Sequence, residues 1–333
     1  MGKKILIISN EKDATVEMVT RHLENMGETF YRFNTDRFPV SLKLSLSLSA
    51  DKPSIVLEED GLAQTVSRAK SVWYRRPTLA ETNPNLPEEY NKFIEREVRA
   101  TLWSLYTALD AFWVNPPLTG HHLLEHNKIL QLKTAAHLGL DTPETIITND
   151  SQRLLTFAKE HGGIVAVKTI ASHFFATIEK EEQAGIFLIY TNKVSEKEIA
   201  RYEKDIKLAP VMAQVYISKR IELRVTIVGE KIFSCAIHSQ DSEKTQHDWR
   251  RYDFENVKHE PHELPREIEE KLLRMMKLWG LTFGAIDMIL DPDGRYVFLE
   301  INPNGQWAWI EGLTGMPISK SIAELLANPP VER

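Results

Sequence analysis

Apolar residues recur along the chain with two periods. KKILIIS, from Lys3, is a short apolar run that reads as a buried strand. It leads into a helix from about Asp13 to Met26, stopped by Gly27. ETFYRFNTD reads as a second strand, so the chain opens β-α-β, the start of a small parallel sheet. In SLKLSLSLSA every second residue is apolar, which marks a half-buried strand and not a disordered tract. SVWYRRP is a further strand, ended by Pro77. The spacing then predicts a long helix from Pro87 to about Leu109, with Phe93, Val98, Leu102, Leu105 and Leu109 on one face.

NPPLTG, from Asn115, is a Pro/Gly boundary and the first predicted domain break. A helix follows from about His121 to Leu138, ended by Gly139, and a capped helix starts at Ser151. GIVAVKTI and IFLIYT read as strands, and SEKEIARYEKDI as an amphipathic helix. VMAQVYISK opens a third section. It contains the hairpin IELRVTIVGEKIFSCAI, turned at Val-Gly-Glu-Lys. No internal repeat is visible. The chain divides into three α/β (α+β) pieces of ordinary domain size.

Bulk properties narrow the classes. A formal charge of −6, from 41 basic and 47 acidic side chains, lacks the basic excess of a nucleic-acid-binding chain. The single cysteine, Cys235, cannot form an intramolecular disulfide and suits a reducing compartment. No apolar stretch approaches the ~20 residues of a membrane helix, and ILII is too short for a signal peptide. The expectation is a cytoplasmic protein with no membrane and no nucleic-acid partner.

The densest chemistry lies in GAIDMILDPDGRYVFLEINPNG, from Gly284 to Gly305. Asp291-Pro292-Asp293-Gly294 is a turn with Pro at its second position and Gly at its fourth. Pairing Leu290 with Arg295 sets Asp287 opposite Phe298, and Asp287, Glu300 and Asn302 then share one face. The two carboxylates become diagonal neighbours roughly 7 Å apart at the backbone. Two carboxylates and an amide oxygen suit a hard cation, Mg²⁺ or Mn²⁺, which takes its remaining ligands from water or phosphate. The flanking MIL and YVFL are too apolar for an exposed ribbon, so the acids are expected in a cleft.

Lys168, within GIVAVKTI, and Arg224, within IELRVTIV, are charges inside apolar strands, costly to bury without an anion. Lys128 lies near the start of the helix after the domain break. Each alone is as well explained by a side chain that snorkels to solvent. Together, beside two acids, they point to phosphate. HHLLEH, from His121 to His126, contains the H-x-x-E-H arrangement of some zinc peptidases. That reading needs a third protein ligand, and HEPHE, at His259, lacks the spacing for a second zinc motif.

In order along the chain, HNKILQLKTAAHLGLDTPETIITND, GIVAVKT, AQVYI, IELRVTIVGEKIF, GAIDMIL and FLEINPNGQW resemble the ATP-grasp ligases. FNTDRFP, SVWYRRP, HNKxLQL, DWR and LEINPNGQW are similar to the microviridin-type graspetide ligases, which macrocyclise ribosomally made precursor peptides. The resemblance implies an N-terminal pre-ATP-grasp domain of Rossmann-like type (1–115), a central ATP-grasp subdomain (116–211) and a C-terminal subdomain with the Mg²⁺ site (212–333). It places Lys128 and Lys168 on nucleotide phosphates, and the backbone of Gln214, Val215 and Tyr216 at the adenine. Glu222 falls on the ribose or metal side, Arg224 at the γ-phosphate, and Asp287, Glu300 and Asn302 on Mg²⁺. Arg75, Arg76 and Arg250 are candidates to hold substrate carboxylates, and Asp248 to act as general base. The leader of the precursor would dock on a hairpin at 176–190 and a helix at 195–206, where Lys197, Glu198 and Arg201 are the matched polar positions. TIASHFFATIEK, after Lys168, has no glycine, unlike the Gly-rich lid of many ATP-grasp proteins. The resemblance implies a homodimer that uses ATP and Mg²⁺ to join Asp/Glu carboxylates of the precursor to Ser/Thr hydroxyls. Lactam formation with a Lys amine, and ligation of a free amino acid in the manner of the glutamate ligases, are the neighbouring readings. A non-catalytic ATP-binding protein is the reading from another class.

Overall fold

The computed structural model describes residues 4–117, 122–125, 127–171, 174–178, 184–188, 190–251 and 253–330, with backbone alone for 122, 174–178 and 184–188. The first unit contains β1 (Ile5–Ser9), α1 (Thr15–Asn25), β2 (Phe30–Asn34), β3 (Leu42–Ser49), β4 (Lys52–Glu59), β5 (Leu62–Thr65), β6 (Ser71–Tyr74), α2 (Glu88–Ala108) and β7 (Phe112–Val114). Its sheet, in the order β2-β1-β6-β7, is parallel throughout, as the β-α-β opening predicts. The alternating SLKLSLSLSA is β3, which pairs with β4 in a separate antiparallel sheet, β3-β4-β5. The alternation in SLKLSLSLSA predicts β3 alone, and β4 and β5 are additions of the structure. In α2, Val98, Leu102 and Leu105 are buried, as is Leu109 just past its end, but Phe93 is exposed.

The second unit contains α3 (His122–Glu125), α4 (Lys128–His137), β8 (Thr145–Thr148), α5 (Ser151–Glu160), β9 (Ile164–Lys168), β10 (Phe174–Ile178), β11 (Ala184–Leu188), β12 (Asn192–Ser195), α6 (Glu196–Arg201), α7 (Glu203–Ile206) and β13 (Val211–Val215). Its main sheet runs β12-β9-β13-β8 and is antiparallel, with β10-β11 as a separate hairpin. Two expected helices are broken. The one expected from His121 to Leu138 stops at Glu125 and restarts at Lys128, because the Asn127 side chain caps the new helix by accepting from the Leu130 N–H at 3.0 Å. SEKEIARYEKDI divides at Tyr202 into α6 and α7.

The third unit contains β14 (Ile221–Val228), β15 (Lys231–Ile237), β16 (His259–Pro261), α8 (Arg266–Leu278), β17 (Phe283–Leu290), β18 (Tyr296–Asn302), α9 (Ala308–Thr314) and α10 (Ile318–Ala327). Its antiparallel sheet runs β16-β15-β14-β17-β18. Val228 pairs with Lys231 across the Gly229–Glu230 turn, with Gly229 at φ 60°, as the corner motif predicts.

The break at NPPLTG is not a free linker. The buried Asn115 amide donates to the carbonyls of Phe283 and Pro303, both at 2.7 Å, and its oxygen accepts from the Thr282 and Phe283 N–H groups. One apolar core joins the first unit to the third. Ile5, Ile7, Val19 and Leu23 share it with Ile310, Ile318, Ile322 and Leu326. The Ser71 hydroxyl adds a 2.7 Å hydrogen bond to the Leu326 carbonyl. The second unit has a core of its own around Leu154, Val165, Ile199 and Ala213. Residues 216–220 connect β13 to β14, and residues of both units line one cleft.

Candidate active site

Three neighbouring strands build the floor of the cleft. In β14 and β17, Arg224 is directly opposite Asp287. In β17 and β18, Asp287 is directly opposite Glu300. The predicted register is off here. Leu290 pairs with Tyr296, and a bulge between Asp287 and Met288 absorbs Leu299, so the acids are neighbours and not diagonal partners. Asn302, opposite Ala285, shares their face two residues further along.

A line of charge thus crosses three strands. Arg224 Nη1 donates to both carboxylate oxygens of Asp287, at 2.9 and 3.0 Å. Lys128, at the first turn of α4, pairs with Glu300. The α4 helix is fixed for this by Gln131, whose amide donates to the Ile301 carbonyl at 3.0 Å and accepts from the Ile301 N–H at 2.9 Å. Burial would raise the Glu300 carboxyl, but Lys128, Lys168 and Arg250 outweigh it and hold it well below the usual carboxylate range. For Asp287 burial prevails, and Glu300 adds to it, so its carboxyl stays above the ordinary value despite Arg224. Burial pushes the Lys168 ammonium down to about 8. These are charges held together at a cost, the arrangement expected where an anionic ligand and a cation complete the balance.

Lys128, Lys168, Gln214, Val215, Tyr216, Glu222, Asp248, Arg250, Asp287 and Glu300 all line this one cleft of about 770 Å³. The sequence alone had separated them by more than 170 positions. Gln214, at the end of β13, ties its amide to the Thr145 hydroxyl at 3.0 Å, and the Val215 N–H donates to the Glu144 carbonyl. These two bonds tie the end of β13 to the start of β8. Glu222 pairs with Lys219 at 2.6 Å, and burial raises its carboxyl. Lys219 had no separate signal in the sequence, since a lysine in a loop reads as solvated.

Arg250 and Asp248 form a close pair. Arg250 Nε donates to Asp248 Oδ1 at 2.9 Å, and the Thr191 N–H donates to Oδ2 at 2.8 Å. Burial raises the Asp248 carboxyl, but these donors outweigh it and leave it below the ordinary range. A carboxylate so occupied suits an anchor for Arg250 better than a general base. Asp248→Asn should therefore lower stability at neutral pH. A depressed carboxyl contributes stability above its unfolded value of about 4, lost as pH falls through its folded value. Urea midpoints of the variant and the parent should thus differ most above pH ~4 and converge below it.

Arg75 and Arg76 are not in the cleft. Arg75, 1% exposed, faces the loop after β18. Arg76 stands at φ 49° beside a separate depression lined by Tyr74 and Asn304. On α6, Lys197, Glu198 and Arg201 are exposed, and Glu198 closes a capping box with Ser195. Arg201 stacks on Tyr202, 5.5 Å from the ring centroid. Side chains of the proposed docking hairpin lie outside the described residues, as do His121, His126 and the His122 side chain on which a zinc reading rests. Among the described residues, no group of three or more His, Cys, Asp and Glu side chains is placed to hold a metal. Asp287 and Glu300 line the cleft, while Asn302 and Arg224 are not among its lining residues and lie on the same strand faces beside it. Two acids with an amide oxygen nearby would fit Mg²⁺ or Mn²⁺ by their chemistry.

Residues 4–120 match the MvdD pre-ATP grasp domain family, and residues 125–326 the RimK-like ATP-grasp domain family. No curated protein sequence matches the chain. Among solved structures, the macrocyclase MdnC of Microcystis aeruginosa MRC, bound with precursor peptide MdnA, is 33% identical with a TM-score of 0.86, over 98% of this chain and 100% of that one. A RiPP-associated ATP-grasp ligase of Chryseobacterium gregarium, in complex with ADP and a leader and core peptide, is 30% identical with a TM-score of 0.89, over 99% and 98%. The macrocyclase MdnB of Microcystis aeruginosa MRC is 28% identical with a TM-score of 0.78, over 98% and 99%. No helix of the described residues is long and apolar enough to cross a membrane. Two family matches that together span nearly the whole chain, with a solved relative 33% identical over 98% of it, establish that it belongs to the ATP-grasp ligases, with a pre-ATP-grasp domain of the MvdD type.

Proposed function

We propose that this ligase closes macrocyclic esters in a ribosomally made precursor peptide, joining Asp or Glu side chains to Ser or Thr hydroxyls of the same chain. The observation that carries the reading is the row Arg224, Asp287, Glu300 and Lys128 across the cleft floor, with Lys168 and Arg250 above it. Similarity to macrocyclases bound with precursor and with leader and core peptides supports the peptide substrate. On this reading the three domains are those expected at 1–115, 116–211 and 212–333, with the second break moved past β13 (Val211–Val215), which pairs inside the second unit's sheet. The leader meets Lys197, Glu198 and Arg201, and the enzyme works as a homodimer in the cytoplasm.

ATP would sit against the hinge 214–216, with its phosphates toward Lys128, Lys168 and Arg224. Asp287, Glu300 and Asn302 would hold Mg²⁺, which supplies charge neutralisation on the phosphate oxygens when bound. A peptide carboxylate oxygen bonds to the γ-phosphorus, the bond from that phosphorus to the β,γ-bridging oxygen breaks, and ADP leaves with the electron pair. The hydroxyl oxygen then bonds to the acyl carbon, the bond from that carbon to the phosphoryl oxygen breaks, and the phosphate leaves with the electron pair and takes up the hydroxyl proton. Arg224, paired with Asp287, would balance charge on the transferred group, and Arg250, anchored by Asp248, would hold the substrate carboxylate. The cleft must close against water, or the acyl-phosphate is hydrolysed.

The test is incubation with ATP, Mg²⁺ and a candidate precursor peptide of leader and core, read by intact mass. Loss of one water per ring is expected. The rings should reopen in hydroxylamine, which cleaves esters and spares amides. Rings that survive hydroxylamine would replace the ester reading with the lactam one, and an unchanged mass would remove the macrocyclase reading.

A further inference from the structure

We propose that Arg75 is a positioning residue of the ligase, a clamp through which the pre-ATP-grasp domain holds the metal and phosphate loop of the catalytic domain in place. The inference rests on the reading that Asp287, Glu300 and Asn302 hold the metal. Arg75 directly follows β6, where its own N–H donates to the Ile8 carbonyl at 2.7 Å. Its guanidinium has one side on its own domain. Nε meets Asp13 Oδ2 at 3.2 Å and the Thr15 hydroxyl at 3.1 Å. The other side meets residues 304–306. Nη1 donates to Asn304 Oδ1 at 3.2 Å and to the Gly305 carbonyl at 3.1 Å, and Nη2 to Gln306 Oε1 at 2.8 Å.

That loop is the continuation of the metal strand. The Gly305 N–H donates to the Asn302 carbonyl at 3.1 Å. The Gln306 carbonyl accepts from Arg224 Nη2 at 3.1 Å, while Arg224 Nη1 holds Asp287. A continuous set of hydrogen bonds therefore runs from Asp13 through the Thr15 hydroxyl, Arg75 and residues 304–306 to Arg224 and Asp287, with the Arg75–Asp13 ion pair beside it. A buried guanidinium is costly unless its planar fork is satisfied on several sides. Burial pushes Arg75 down to about 10, which leaves it charged at neutral pH. A surface arginine awaiting a substrate carboxylate would not be enclosed in this way. The shared core between the first and third units gives the clamp a rigid base.

Two variants test the clamp. Arg75→Lys keeps a charge beside Asp13 but cannot reach Thr15, Asn304 and Gln306 together. Gln306→Leu removes the Nη2 acceptor and leaves the first domain untouched. Mn²⁺ binding in the presence of ADP, followed by electron paramagnetic resonance, should weaken about tenfold in both variants while metal-free ADP binding stays within about twofold, the pattern of a lost outer-sphere support. Folding is checked by thermal unfolding. If Arg75→Lys does not fold, Gln306→Leu carries the same decision. Mn²⁺ affinity at the parent level in the folded variants would overturn the clamp. So would a rise in peptide KM alone, which would return Arg75 to substrate binding. Glu300→Gln serves as the reference. If it binds Mn²⁺ as the parent does, the metal reading fails, and the fault is not in the clamp.

Discussion

Glu300→Gln is expected to lower kcat for ligation by about 10³-fold or more, the scale of losing a principal electrostatic contact in a transition state. The substitution changes almost no volume, so packing does not explain the loss. It removes one of two carboxylates that face each other across β17 and β18. It also leaves Lys128 without its ion-pair partner and Lys168 and Arg250 without the charge that favours them. The cluster then carries surplus positive charge. An anionic nucleotide should bind it as well as before, or better, in the absence of metal. The expected signature is retained metal-free ADP binding, lost metal dependence and lost turnover, measured by calorimetry and by ADP release. Equal loss of nucleotide binding and turnover would mean that Glu300 serves the fold or the phosphates and not the metal.

Gly305→Ala is the second large effect, and it comes from sterics. A Cβ at this position would stand 2.5 Å from Ala285 Cβ, 2.7 Å from Arg224 Nη2 and 3.1 Å from Asn302 Cβ. Ala285 belongs to a central strand and has nowhere to go. Residues 304–306 must therefore move, and with them the carbonyl that holds Arg224 and the strand end that carries Asn302. Overpacking of this kind costs about 1–3 kcal/mol, which a chain of this size tolerates. Catalysis should suffer more, with kcat down about 10²-fold, because a displacement of about 1 Å at the reacting groups has that scale. Denaturant unfolding and steady-state kinetics on the same preparation check both halves. Normal kcat with the expected loss of stability would separate the loop from the site.

Much of the site was legible because charges in apolar strands are conspicuous. Lys168, Arg224, Asp287 and Glu300 stand out from Val, Ile and Leu on either side, and strand alternation assigns the two acids to one face. The direct pairing of those acids was not legible, because it depends on Leu299, a bulged residue with no sign of it in an unbroken YVFLEIN. Arg75 shows the same limit. SVWYRRP presents two adjacent arginines, and nothing local says that one is enclosed while the other takes a left-handed backbone. That difference is made by Asp13 and by residues 304–306, far away in the chain. Asn115 and Gln131 were missed for a related reason: a polar side chain in a loop or helix reads as solvated until its distant backbone partners are known. The broken helix at Asn127 did leave a signal, since an Asn three residues before Leu130 is a possible N-cap, but a continuous 121–138 periodicity masks it.

The most direct test of the account couples two measurements in one reaction, the ADP released and the water lost from the precursor peptide. With ATP and Mg²⁺ the account predicts that the two rise together, one ADP for each ring closed, and that both vanish in Glu300→Gln. ADP release that continues in Glu300→Gln, or ring closure without equivalent ADP, would contradict it.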